Sequence, residues 1–494
     1  MTSFEVTKQG AAGGSSIAHA VGQAGATERP PELQRGLTQR QLTMMTIGGA
    51  IGVGLFLGSS LTIRLAGPGV ILSYIFSAVI AVIVAYSIAE MAVVHPVAGS
   101  FGVYARTYLN DWSGFAVRAT YAFVQIIAIG AEVTAVAIYF FMWFPSVPQW
   151  IWVASVSTGL IAINAMQVGK FAEFEYWFAI IKVIAIVAFI LLGLGLIFGL
   201  GPMHALGFSN LTSHGGFLPH GMKGVWLAMT LTLTSYMGVE IIGVTAGEAV
   251  QPETTIPRAM RTVSLRLILF YVLSMIVMLS ITPWDRMGSG ITGSPFVLTF
   301  AAAGVPFAGS IMNLVVITAA LSSANTNLYL TARTLFSLSR DGYAGKALGH
   351  LGQNGVPYFA LFASTSGMVA AILLAIFAPG RAFLLLYGVA VAGMFFVWIV
   401  ILLAHLAFRR SIGHARVALL PIRLPFSPYL QSIALSGLAV IAISTFYVDG
   451  LQYSVLSFSV FLLVVTAFYW TLSRRNRGKL QDRSECNLVM PQGD

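Results

Sequence analysis

Glu132, Lys182 and Glu240 lie in stretches that are otherwise apolar: IIAIGAEVTAV around the first, YWFAIIKVIAIVAFI around the second and TLTSYMGVEIIGVTAGE around the third. Centring a lysine in hydrocarbon costs roughly 2.5–3.5 kcal/mol on insertion scales, so Lys182 is expected to face a protein interior and to have partners there. It reads as a fixed cation, as a proton carrier, or as a side chain that snorkels to an interface. Candidate partners are backbone carbonyls of the stretch 44–65 and the hydroxyls of Ser322 and Ser323. Glu132 reads as a pocket or proton-relay group, or as a structural carboxyl held by hydrogen bonds. Glu240, two residues after Gly238, is a further coupling candidate.

Glycines mark two of the apolar stretches. TIGGAIGVGLFLGSS, Thr46 to Ser60, contains Gly48, Gly49, Gly52, Gly54 and Gly58, and the segment around Glu240 contains Gly238, Gly243 and Gly247. Each glycine weakens a helix by about 1 kcal/mol relative to alanine. One reading is close helix packing through small residues. The other is a helix broken halfway, whose freed amides and carbonyls face a cavity rather than lipid. Freed N–H groups at a half-helix start suit a carboxylate, and freed carbonyls suit an ammonium group. A zwitterion needs both.

The elements that must hold these groups are membrane spans. Of 494 residues, 57% are hydrophobic and only 9% charged, against roughly 25% charged in soluble domains, and mean hydropathy is +0.84. The pattern predicts an all-α polytopic membrane protein with twelve transmembrane helices near 44–65, 69–94, 114–143, 150–168, 174–200, 224–248, 263–283, 308–336, 358–378, 382–408, 428–448 and 451–473. If spans 1–5 and 6–10 form two halves, the glycine-rich segments open each half, which is the best sequence pointer to a mid-membrane site. That pairing favours broken helices over simple close packing.

The net charge of +10 comes from basic residues that line up with loops, so it marks orientation rather than nucleic-acid binding. With the amino terminus inside, Arg64, Lys223, Arg286 and Arg381 fall outside, Lys182 mid-membrane, and the other 22 of 27 Lys and Arg inside. Both termini are therefore expected in the cytoplasm of a multi-pass cell-membrane protein. Residues 1–40 read as a disordered cytoplasmic tail without a signal-peptide core, 41–473 as the transporter domain and 474–494 as a cytoplasmic carboxyl tail.

The remaining polar groups divide between site and scaffold. Glu248 near Arg258 reads as a helix-end or gating pair, and Glu90 with His95 as loop scaffold. Asn325 and Asn327 either line a cavity or bond neighbouring helices. His204, His214 and His220 have no metal-ligand spacing, and the single cysteine, Cys486, permits no internal disulfide. No phosphate loop, GxSxG elbow or HExxH motif occurs, so neither an enzyme nor a cofactor is expected.

GGAIGVGLFLGSS, EMAVVHPVAGSFGVYA, GVEIIGVTAGEAVQPETTIPRAM and ARTLFSLSRDGYAGKALG occur in that order. Together they resemble the amino acid permeases of the amino acid–polyamine–organocation (APC) superfamily, in particular the bacterial proton-coupled branch, over nearly all of 40–470. The resemblance implies a LeuT-like five-plus-five inverted repeat (about 44–200 and 224–408) with two extra helices (about 428–473) and with helices 1 and 6 unwound at mid-membrane. It implies a substrate carboxylate on amides around Gly52, Val53 and Gly54. The amine would meet carbonyls near Gly49 and Ala50 and near Thr234, Ser235 and Met237. A lysine at the position of Lys182 would replace a sodium ion between spans one, five and eight, in keeping with proton coupling. Val53 stands where many relatives have Thr or Ser, which leaves the carboxylate to backbone N–H groups.

Gln125, Ile129, Tyr236, Ser323 and Phe395 are the candidate pocket side chains, joined by Gly238 beside Glu240. Most are neutral, which favours a neutral amino acid carried inward by proton symport with alternating access. A cationic amino acid or amine exchanger of the same fold, with Glu132 holding the cation, is the rival reading. An amino acid sensor would need a signalling domain that the short carboxyl tail does not supply. The expected partners are the substrate, protons and the lipid bilayer.

Overall fold

Long apolar blocks satisfy their backbone most simply as helices, and helices are what the computed structural model contains. It describes residues 40, 43, 44, 46 and 51–475, except 98, 167, 201–204, 245, 247–250, 288–293, 303–306, 353, 379–381 and 450. The first elements are α1 (Val53–Phe56), α2 (Gly58–Ala66), α3 (Val70–Val94), α4 (Ser100–Tyr108), α5 (Asp111–Trp143), α6 (Gln149–Asn164) and α7 (Val168–Phe198). There follow α8 (Gly221–Ser235), α9 (Ile241–Val244), α10 (Pro252–Ile281), α11 (Pro295–Ala302) and α12 (Ala308–Arg340). The last are α13 (Tyr358–Ser364), α14 (Ser366–Phe377), α15 (Ala382–Ala418), α16 (Tyr429–Ser444) and α17 (Ser454–Arg475).

Local chemistry sets several boundaries. Gly67-Pro68-Gly69 forms the 3₁₀ turn that separates α2 from α3. Asn110 caps α5 by accepting the Ser113 amide at 2.8 Å. Pro252 opens α10 at a position where its missing N–H costs nothing. Helix α10 starts eleven residues before the expected span, and α15 runs ten residues past its span. Both extensions are polar, so hydropathy does not reveal them. The short helix α4 was not expected for the same reason, and α11, PFVLTFAA, is apolar but at eight residues too short to read as a span.

Among the described residues, nine helices are long and apolar enough to cross a membrane. That criterion does not separate α2 from α3, and it omits α6, with 16 residues, and the divided α8–α9 segment. Helices α16 and α17 present Ile433, Val440, Ile443, Leu456, Leu463 and Val464 to the surroundings, a face suited to hydrocarbon rather than water.

At the centre, α5 packs against α12 and α15, while α8 packs against α2 and α3. Beside them the buried carboxylate of Glu90 on α3 accepts Arg409 Nε at 2.7 Å, Arg409 Nη2 at 2.6 Å and the Leu424 amide at 2.9 Å. Near α4, the buried Arg118 donates to Asp341 at 2.5 Å and to Ser337 at 3.1 Å, joining α5 to the end of α12. At the opposite end Phe217, Leu218 and Pro219 lie against Gly67 and Gly69. There Trp284 Nε1 donates to the His214 carbonyl at 2.8 Å.

Candidate functional site

Both glycine-rich segments are interrupted where chemistry would need them open. Before α1, Gly52 is extended (φ −126°, ψ −158°). The Ile51 carbonyl, freed by that break, accepts Lys182 Nζ at 2.9 Å. Between α8 and α9 the chain turns through Tyr236–Glu240. Gly238 there has φ 110°, a conformation that strains any residue with a side chain. Its amide donates to Glu240 Oε1 at 3.1 Å and Oε2 at 3.0 Å. The amide of Val53 bonds to the carboxyl of Glu132, which accepts Ser323 Oγ at 2.8 Å through Oε1. At each break, then, an amide freed from the helical ladder finds a buried carboxylate.

The two breaks border one cavity. Gly52, Val53 and Gly54 form one wall, and Thr234, Met237, Gly238 and Glu240 the facing one. Helix α5 contributes Gln125, Ala128, Ala131 and Glu132, α12 contributes Ser323 and Asn327, and α15 contributes Tyr387, Ala390 and Val391. The Thr234 and Tyr387 hydroxyls bond to each other across it. Gln125 Nε2 donates to Tyr121 at 2.8 Å, and Tyr121 reaches Glu240 Oε1 at 3.5 Å. Beside the cavity Leu233, Met394, Phe395 and Trp398 form an apolar crevice with Thr234 and Met237.

Several expected pocket residues lie off this wall. Ile129 is buried one residue, about 100° of helix rotation, beyond Ala128. Tyr236 turns away, its hydroxyl donating to the Tyr74 carbonyl at 3.0 Å and its ring 4.6 Å from that of Tyr271. Ser235 offers its carbonyl to the Tyr271 hydroxyl at 2.6 Å instead. Lys182 and Ser322 sit behind the wall, where Ser322 donates to Glu175. Gly48, Gly49, Ala50, His204, Gly247, Glu248, Arg381 and Cys486 lie outside the described residues.

The two asparagines separate. Asn327 lines the cavity. Asn325 joins helices, donating to Glu175 Oε2 at 3.2 Å and accepting Asn164 at 2.6 Å. His95 is part of a scaffold, its ring bonded to Tyr108 at 2.6 Å and its imidazole pushed below the usual range by burial. His214 pairs with Asp285 at 3.2 Å, and among the described residues no cluster is placed to hold a metal.

Tyr387, Ala128, Ala131, Ala390, Val391 and Glu175 were not anticipated. The small residues carry no chemical signal. Glu175 had one, its position seven residues before Lys182 and so on nearly the same helix face, although it falls at the edge of the expected span 174–200.

The amino acid permease family model matches residues 41–484. An uncharacterized amino acid permease of Bacillus subtilis, YtnA, is 40% identical over 442 residues, 89% of this chain and 95% of its own. The probable threonine/serine transporter YbxG of the same organism is 36% identical over 462 residues, covering 93% and 98%. The aromatic amino acid transport protein AroP of Salmonella typhimurium is 39% identical over 442 residues, covering 89% and 95%. With a cavity between two broken apolar helices and a match of this extent, the chain belongs to the amino acid permease family.

Proposed function

We propose that the protein imports neutral amino acids by proton symport, through alternating access across a twelve-helix bundle with both termini in the cytoplasm. The observation that carries the reading is the cavity bounded by freed backbone at Gly52–Gly54 and Met237–Gly238, with Lys182 fixed on the Ile51 carbonyl. A substrate carboxylate would take the Val53 amide now bonded to Glu132, and its ammonium would take freed carbonyls of the two breaks. A proton on Glu132 turns that carboxyl from acceptor into donor and lets it give up the amide. Substrate and proton then arrive together. The neutral assignment draws on the relatives named for aromatic amino acids and for threonine and serine, and on Glu240, whose two oxygens are taken by one amide.

One observation favours the rival cationic substrate: Glu132 Oε2 is buried with no hydrogen-bond partner among the described residues. The two readings separate in proteoliposomes. A membrane potential supplies about 2.3 kcal/mol per charge per 100 mV, so one proton concentrates a neutral substrate roughly tenfold or more. Uptake of radiolabelled phenylalanine and threonine is expected to rise when an inward proton gradient is imposed. Uptake that ignores the gradient yet proceeds by counterflow makes the protein an exchanger, and competition by lysine or arginine alone makes the substrate cationic.

A further inference from the structure

A second buried carboxylate lies behind the cavity wall. Glu175 is fully buried on α7, accepts Ser322 through Oε1 and Asn325 Nδ2 at 3.2 Å through Oε2. Ser322 and Ser323 are consecutive on α12, yet the first donates to Glu175 and the second to Glu132. Lys182 lies within the field of both carboxylates. The three groups therefore form one buried cluster with Glu132 on the cavity, Lys182 behind it and Glu175 furthest from the substrate. Fully ionised, the cluster carries one uncompensated negative charge, which is costly away from water. One added proton balances it.

Glu175 also points the cluster toward one end of the bundle. It precedes Lys182 by seven residues, about 10 Å of helix rise. Next to it the guanidinium of Arg40 lies 3.7 Å above the Tyr176 ring, so this is the end of α7 at which Arg40, ahead of the first span, lies. Asn325 extends the polar line to Asn164, the last residue of α6. Among the described residues Lys182 is the charged group that acts on Glu175; α12 adds Ser322, Asn325 and Thr326.

We propose that Glu175 is the station through which the co-transported proton leaves the substrate cavity for the cytoplasm, with Lys182 as the intermediate carrier. The Lys182 ammonium gives a proton to the Glu175 carboxylate, and the resulting amine takes the proton of the Glu132 carboxylic acid. Glu132 ends ionised, Glu175 protonated and Lys182 unchanged. Glu175 then releases its proton to water at the inner end. The proposal rests on the proton-symport reading.

The test compares wild type, Glu175→Gln and Glu175→Asp in proteoliposomes with radiolabelled phenylalanine and threonine. Glu175→Gln keeps the shape of the side chain and an acceptor for Ser322, sets a donor against Asn325 Nδ2 in place of the second acceptor, and cannot exchange a proton. It is expected to hold counterflow within about twofold of wild type while gradient-driven accumulation falls at least tenfold, and Glu175→Asp restores part of the accumulation. Equal accumulation by Glu175→Gln and wild type overturns the proposal. So does parallel loss of counterflow and accumulation in a variant of unchanged melting temperature, which would make Glu175 a positioning residue. Should Glu175→Gln not fold, Ser322→Ala with Asn325→Ala gives the same split, slowed accumulation with counterflow retained, and its absence overturns the idea. A wild type that does not respond to the gradient instead removes the symport reading itself, and this proposal with it.

Discussion

A Cβ on Gly52 would lie 2.6 Å from Ser323 Oγ and 2.7 Å from Glu132 Oε1. Even the smallest side chain there forces the carboxyl of Glu132 to shift, and with it the bond to the Val53 amide. Gly52→Ala is therefore expected to weaken phenylalanine or threonine binding at least tenfold, measured by scintillation proximity or calorimetry in detergent, with little change in melting temperature. Affinity near that of wild type would mean that the backbone of this break does not hold the ligand. At this scale the sequence is most legible where burial is most costly. A carboxylate or ammonium inside an apolar run has to be satisfied, so Glu132, Lys182 and Glu240 announce themselves by type alone. Ile129 and Tyr236 lie off the cavity wall, and their direction was not legible because side-chain phase is invisible in a segment that is apolar on every side. Ala128 and Ala390 offer only room, and room leaves no chemical trace.

The broken helices were readable as elements because glycine is the one residue that both weakens the ladder and tolerates the backbone of Gly238. Contacts between distant elements were not. Glu90 and Arg409 are separated by 319 residues and join α3 to α15 and to the chain before α16. From sequence, Glu90 is an acidic residue at a span end, and nothing local says that an arginine, a backbone amide and His405 converge on it. This pin makes a sharp prediction, because a buried ion pair is destabilised most by losing one member. Arg409→Ala leaves the Glu90 carboxylate buried with only the Leu424 amide and His405 beside it, and is expected to cost about 3–5 kcal/mol. Adding Glu90→Ala to that variant should recover part of the loss. Melting temperatures of the single and double variants in detergent give the coupling directly. Equal, additive losses would show that the two side chains stabilise the helices separately.

The molecule as a whole carries a charge asymmetry that its fold sorts into two ends. The 3₁₀ turn at Gly67, the Pro219 loop and Trp284 meet at one end, and Arg64, Lys223 and Arg286 belong to the segments there. At the other end lie Arg106 and Arg118, paired with Asp341, and Arg409 on Glu90. Because cytoplasmic loops retain Lys and Arg, the second end is expected to face the cytoplasm, and the proton path through Glu175 needs that orientation to discharge inward. The chain's single cysteine, Cys486, provides the measurement. On intact cells a membrane-impermeant maleimide should leave Cys486 unmodified and label it only after permeabilisation. In a Cys486→Ser background, His214→Cys at the opposite end should be labelled from outside without permeabilisation. The reverse pattern would place the arginine-rich end outside and overturn the assignment of Glu175 to the inward, cytoplasmic end of the proton path.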